Sequence, residues 1–413
     1  MKRLVSLMLS LALLLCAASA MAEVKEVNAA ESRAVTIQPA GDNTVEEGIS
    51  PTTGRNLADV ADELEYDGFL GMYLDGRYNP VLVQIDDTEG GVGTRAPWFA
   101  SYADVIYETP LHMNGTTRMS MIYSDTQPEF VGPVRSIRVN HLWIREEWNS
   151  PFLYAGRQAM EGDPVGTSVP DQMELLGVHN PERPNSPGAP LMYDGTTGGK
   201  AWNDYCFRVT TLRAPHNAIY NLAGIVSKVI PNGEFTPNNH TYKFADELPA
   251  GGDEAPVVYV SWGNNAYNSK LVYVPAQGVY ERYVNSKNYT LYDEMTPENL
   301  KRTTNDAGKT VYKCTLAHGN AITFSNVIVQ FMDMEYAGAE ERPKPTVTGS
   351  GNAEYFMGGK HYSGVWNRET LQDRTVFYDM EGNEMPMQRG KTLIIMMDYA
   401  TSGRSVSYDD TVQ

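Results

Sequence analysis

Cysteine is scarce in this chain: three in 413 residues, at Cys16, Cys206 and Cys314. That excludes a disulfide framework and leaves no Cys-x-x-Cys metal or redox motif. Cys206 and Cys314 stand 108 positions apart, and two free thiols are expected there rather than a bridge. Histidine numbers seven, with no zinc-ligand spacing among them, so no metal is expected. The usual catalytic signatures are missing as well. There is no His-Glu-x-x-His, no P-loop, no Gly-x-Ser-x-Gly, and no Gly-x-Gly-x-x-Gly after the opening strand. No cofactor is expected either. Positive charge is also in short supply, with 33 Lys and Arg against 51 Asp and Glu. A chain so acidic, without a basic stripe, is repelled by nucleic acid and by anionic lipid, so no nucleic-acid partner is expected.

There is one apolar run, residues 4–15, preceded by Lys2 and Arg3 and followed by Ala20-Met21-Ala22. The order of positive, apolar and small residues describes a secretory leader over residues 1–22, cut before Glu23. The run falls short of the roughly 20 apolar residues that cross a bilayer. A retained anchor is the weaker reading. Lipid attachment at Cys16 is a third, disfavoured by Leu15 where such a cut wants a small residue. No second run of spanning length follows, so no transmembrane segment is expected in the mature chain. The expected address is extracytoplasmic, secreted or associated with the cell surface.

Residues 23–65 are polar, acidic and weakly patterned, in keeping with a flexible tether. From Asn79 the texture changes. Residues 80–85, 103–108 and 118–123 read as strands, with Asn114-Gly115 as a tight turn before the third. Residues 139–148 carry Val139, Leu142, Trp143 and Ile144 at helical spacing, and 170–176 form a second helix stopped by Gly177. A third helix is expected after Asn217, taken as its N-cap, with Ile219, Leu222 and Val226 on one face. Residues 66–232 therefore read as an N-terminal mixed α/β domain, and 233–254, rich in Pro, Gly and Asn, as a linker. Residues 255–405 read as a mainly antiparallel β domain, with strands at 257–262, 271–274, 280–284, 327–331 and 393–397. Gly349-Ser350-Gly351 looks like a turn between strands. The fold class is α+β.

Two clusters are able to carry chemistry. In Gly132-Pro133-Val134-Arg135-Ser136-Ile137-Arg138 a turn presents two arginines three residues apart, with Ser136 between them. Guanidinium forks suit planar recognition of phosphate or carboxylate, helped by free amides if a helix starts here. Arg213-Ala214-Pro215-His216-Asn217 is the second cluster, in which His216 is a candidate general acid or base. Arg118 and Asp104 each open a strand and are candidates for the same pocket mouth. Asp86-Asp87 is a carboxylate pair that would hold a divalent cation only if both faced one way. Neighbours on a strand point to opposite faces, which weakens that idea. In each case the plain alternative is a surface ion pair or a structural residue.

The chain resembles the YerB-like lipoproteins of Gram-positive bacteria, built from two paired domains of unknown function. In the N-terminal half the motifs are Ala103-Asp104-Val105-Ile106-Tyr107-Glu108, Thr117-Arg118-Met119, Val131 through Arg138, and Arg213-Ala214-Pro215-His216-Asn217. In the C-terminal half they are Ser325-Asn326-Val327-Ile328-Val329-Gln330, Gly349-Ser350-Gly351-Asn352-Ala353, and Gly364-Val365-Trp366 through Gly390-Lys391-Thr392. Two departures are the missing lipobox and a more acidic segment at 86–97. The resemblance implies two paired domains and no reaction. It places Arg118, Arg135, Arg138, Arg213 and His216 inside shared motifs, which points to one anion site. That site would bind an anionic envelope component, while the β domain would dock a protein partner. A second expectation is an enzyme acting on phosphate-bearing envelope polymers, with His216 and Asp104 in catalytic roles. It rests on a loose similarity to the LytR-CpsA-Psr phosphotransferases at Asp104, Arg135 and Arg138 alone. A purely structural or interaction module is the third.

Overall fold

The computed structural model describes residues 24–41, 43, 46–63, 80–87, 97–159, 166–183, 185–186, 188, 191–196, 205–228, 241–308, 310–338 and 341–411. The leader, Cys16, the acidic run 88–96 and residues 233–240 of the proposed linker lie outside these residues, whereas 241–254 of that linker are described and include the strands Phe244–Ala245 and Asp253–Glu254.

Alternation of apolar side chains builds the frame. In the strand Val81–Asp86, Val83 and Ile85 pack into one core while Leu82 packs into another, on the opposite face. The strands Val105–Pro110, Thr117–Tyr123, Asn326–Phe331 and Thr392–Met397 sort their residues in the same way. All belong to one eleven-stranded sheet. Its order runs Asp253–Glu254, Lys360–Arg368, Gly349–Met357, Asn326–Phe331, Thr392–Met397, Val105–Pro110, Thr117–Tyr123, Val81–Asp86, Phe152–Tyr154, Met192–Asp194, and the eleventh strand, Val376–Asp379, pairs with Lys360–Arg368 beside this path. The seam between the chain's two halves is Thr392–Met397, which pairs in parallel with Asn326–Phe331 on one side and with Val105–Pro110 on the other. The halves thus share a sheet, and most of the remaining pairs in it are antiparallel.

A second sheet of seven strands, centred on Val257–Trp262, Ser269–Val274 and Val279–Val284, covers one face of the first. The helix Val139–Trp148 covers part of the other, where the Trp148 indole donates to the Tyr107 hydroxyl at 3.0 Å. Truncating Trp148 would remove a fully buried ring, a loss of roughly 3–5 kcal/mol by comparison with similar sites. Gly115 has φ of +80° in the turn before Thr117–Tyr123, and a Cβ there would collide with the Trp262 carbonyl of the second sheet. Cys206 and Cys314 are both free. No helix among the described residues is long and apolar enough to cross a membrane.

Three expectations need revision. Asn217 is not an N-cap: Ala218–Asn221 is a strand, paired with Cys206–Arg208, and the helix begins at Leu222. Asn221 does the capping, accepting the Gly224 amide at 2.6 Å. The spacing of Ile219, Leu222 and Val226 counts across a strand and a helix, and the strand turns Ile219 into one core while Leu222 and Val226 pack into another. Gly349-Ser350-Gly351 opens the strand Gly349–Met357, where a Cβ on Gly351 would strike the Phe331 carbonyl and the Trp366 indole. Parts of 23–65 are packed, although 36–41 and 46–48 are exposed. Val24–Glu26 pairs with Arg404–Asp409, Arg33 meets buried Glu354, and Ser50, Thr52 and Thr53 are buried. This packing is polar, so no apolar pattern announces it.

Candidate functional site

Val81–Asp86 and Thr117–Tyr123 run antiparallel, with Asp86 opposite Arg118; Arg118 in turn stands opposite Thr109 on the next strand. Asp86 and Arg118 lie on the face that carries the helix. The segment 132–138 runs alongside Val81–Asp86, because Val134 bridges to Ile85 and the Arg135 amide donates to the Gln84 carbonyl at 2.9 Å. The loop 210–217 arrives from the other side, returning from Cys206–Arg208 to Ala218–Asn221. Three stretches far apart in sequence converge on one carboxylate.

Asp86 is 4% exposed. Its Oδ2 takes a hydrogen bond from His216 Nδ1 and lies 3.6 Å from Arg135 Nε. Burial opposes its charge, but the His216 bond and the charges of Arg118 and Arg135 outweigh that, holding the carboxyl below its ordinary range. With Nδ1 donating, Nε2 of a neutral His216 is left as an acceptor, and it has no partner among the described residues.

Arg118 is 3% exposed, and its Nη1 donates to the Ser136 carbonyl at 2.7 Å. Burial pushes its pKa down to about 10, with Arg135 and Arg342 adding repulsion and Asp86 offsetting part of it. His141, in the first turn of the helix, is fully buried. Its Nδ1 accepts the Arg138 amide at 3.0 Å, so its Nε2 carries the proton and meets the Thr109 hydroxyl at 3.0 Å. Burial, then Arg118, Arg138 and Arg342, push this imidazole well below its ordinary pKa, so it is neutral. Arg342 reaches the same place from the C-terminal half and bonds His112 Nε2 at 2.9 Å. Four guanidinium groups therefore surround His141 and Asp86.

Of the residues singled out from sequence, Arg118, Arg135 and His216 meet at Asp86, and Arg138 stands next to them through His141. The Ser136 hydroxyl is turned away, donating to the Ala155 carbonyl at 2.9 Å. The Asn217 amide is used within its loop, donating to the Val209 carbonyl at 3.1 Å and accepting from Arg208 at 3.0 Å. Arg213 is exposed and does not join the cluster. Asp104 lies at the other end of the sheet: it precedes Val105, which pairs with Ile122, whereas the site is at Thr109 and Arg118. Four residues of strand, at about 3.3 Å each, separate the two ends. Asp86, His141 and Arg342 went unrecognised as site residues. The sequence signal for Asp86 is its place at the end of an apolar strand.

Asp86 and Asp87 do face opposite ways. Asp87 points into the core between the sheets, where it accepts from Tyr292 at 3.0 Å and lies 3.8 Å from Arg282. Arg282 also bonds Glu108 at 2.9 Å, and Trp262 donates to the same oxygen at 3.1 Å. Burial, countered in part by Arg282 and reinforced by Asp87, pushes the Glu108 pKa up to about 8.

Two family models match the chain: the N-terminal domain of a protein of unknown function (DUF3048) over residues 74–234, and its C-terminal domain over 258–394. No curated protein matches. Among solved structures, the chain is similar to the YerB protein from Bacillus subtilis at 19% identity and a TM-score of 0.58, over 87% of this chain and 99% of that one. At that identity the likeness concerns the fold alone.

Proposed function

The chain belongs to the YerB-like family of paired domains of unknown function (DUF3048), and we propose that it acts outside the cytoplasm by holding an anionic group, phosphate or carboxylate, in the arginine cluster at Asp86. Arg118 carries this reading. It is buried, it makes no ion pair among the described residues, and Asp86 offsets only part of its burial and of the repulsion from Arg135 and Arg342. A buried cation short of matched negative charge costs several kcal/mol, and an anion seated among the guanidinium groups relieves that cost. Arg135, with part of its side chain open to solvent, is the group an arriving anion meets first. Calorimetric titration with inorganic phosphate, pyrophosphate and succinate tests the site. The double change Arg135→Ala, Arg138→Ala is expected to weaken binding at least tenfold while the melting temperature stays within a few degrees. Loss of folding in that variant would establish the arginines as structural instead. The address rests on the leader reading, and N-terminal sequencing of the exported form should begin at Glu23.

The Asp86–His216 contact supports a second reading, in which the site also transfers protons. A buried carboxylate orients the ring and strengthens Nε2 as a base, beside guanidinium groups that would stabilise charge developing on phosphate. Incubation with a pyrophosphate-linked donor and a divalent ion tests it. Turnover abolished by His216→Ala supports catalysis, and no turnover in the parent protein removes that reading while leaving phosphate binding intact.

A further inference from the structure

The opposite end of the sheet carries a separate cavity of about 250 Å³. Its wall draws on three parts of the chain. Thr53 and Arg55 come from the N-terminal segment, Tyr102, Asp104 and Asp125 from the middle, and Asn320 and Lys391 from the C-terminal half. The strands explain the convergence. Val105 pairs with Thr392, and the Thr392 amide donates to the Asp104 carbonyl at 3.0 Å, so Asp104 and Lys391 arrive side by side.

Asp104 is 3% exposed and its two oxygens are unlike. Oδ2 accepts three donors: the Ser124 amide at 2.6 Å, the Asp125 amide at 2.9 Å and the Ser124 hydroxyl at 3.2 Å. Oδ1 receives no donor among the described residues and is the oxygen left to the cavity. Asp125 differs: Ser50 donates to its Oδ1, and Thr53 to its Oδ2 at 2.6 Å. The wall thus offers one unfilled carboxylate oxygen backed by a second carboxylate, with Arg55 and Lys391 as cationic groups on the same cavity.

We propose that this cavity binds a small zwitterion, an α-amino acid or a similar aminoacyl group, with its ammonium on Asp104 Oδ1 and its carboxylate toward Lys391 and Arg55. An ammonium supplies the donor that Oδ1 lacks. A ligand of one sign would satisfy one half of the wall and oppose the other. The volume admits a molecule of a few heavy atoms, not a chain. The proposal does not depend on the arginine cluster, since the two sites lie at opposite ends of the sheet.

Calorimetry on the full mature chain with glycine and alanine, against N-acetylglycine and glycerol as controls, tests it. Binding of the free amino acids, and at least tenfold weaker binding of both controls, is the expected result. Asp104→Asn should abolish that binding. Because Asp104 also holds the 124–125 turn, Asn320→Ala and Lys391→Met serve as lining changes away from that turn. Each is expected to weaken binding severalfold with an unchanged melting temperature. Equal binding of N-acetylglycine, or preference for glycerol, would overturn the ammonium assignment. No binding of glycine or alanine at millimolar concentration by the folded parent would overturn the site.

Discussion

Asp86 and Asp87 are identical side chains in adjacent positions, and the pleat sends them to different worlds. Asp86 meets His216, Arg135 and Arg118 on the helix face, where part of His216 and Arg135 reaches solvent. Asp87 enters a closed network with Arg282, Glu108, Thr117 and Tyr292 between the two sheets. On the first face cations gather around one carboxylate. On the second, two carboxylates share one guanidinium that is itself fully buried and stacked over Tyr292 at 4.6 Å. The first arrangement leaves charge for a ligand; the second spends its charge on joining the halves, since Asp87 and Glu108 come from one and Arg282 from the other.

That contrast has measurable edges. Arg282→Leu should have the largest effect. It leaves Asp87 and Glu108 facing each other without a cation, a loss of roughly 3–5 kcal/mol for a buried pair deprived of its partner. Denaturant unfolding would show it, and a variant as stable as the parent would erase the distinction between the faces. Next is pH. The Glu108 pKa is raised to about 8 from an ordinary 4.5, so the folded chain holds that proton more tightly than the unfolded one. Stability should therefore fall as pH rises from about 4.5 to about 8, and Glu108→Gln should flatten that slope. Asp86 has the opposite sign: its pKa is depressed, so its contribution is complete above 3.8 and is lost as pH falls below that value. Melting curves across both windows, in parent and variant, separate the two faces.

Asp86→Asn should cost less, about 1–2 kcal/mol for a buried charged hydrogen bond weakened to a neutral one. It should also tighten phosphate binding severalfold, since it removes the negative charge nearest an incoming anion. The equivalent change at Asp87 should leave phosphate affinity alone. The smallest effect is expected from Arg213→Ala, an exposed side chain outside the cluster, with stability within about 0.5 kcal/mol and phosphate affinity unchanged.

The strands at Val81–Asp86, Thr117–Tyr123 and Thr392–Met397 were legible because alternation and β-branched runs leave few other options. The pairing of the last of these with Val105–Pro110 was not, because nothing local in 392–397 encodes a partner almost 300 residues earlier. The same gap explains Asp104. Its motif is real, but which end of the sheet it occupies depends on register, and register is a property of pairs. Arg135 and His216 were found from their turns. Arg342 was missed because its hairpin, Met334–Ala337 with Arg342–Pro345, looks like an ordinary β connection until it folds over the site. The polar burial of Ser50 and Thr53 rests on hydrogen bonds to Asp125, and composition gives no warning of bonds.

The placement of Thr392–Met397 carries a consequence for how the molecule is made. It sits in the interior of the large sheet yet is nearly the last strand synthesised. A chain delivered N-terminus first has Val105–Pro110 and Asn326–Phe331 complete, each with an open apolar edge, and only the closing stretch can fill the gap between them. Until then both edges are templates for a stranger's strand. A product truncated before Thr392 would lack the piece that makes two half-sheets one, and should be retained by chaperones or cleared by proteases instead of accumulating as a shorter working protein.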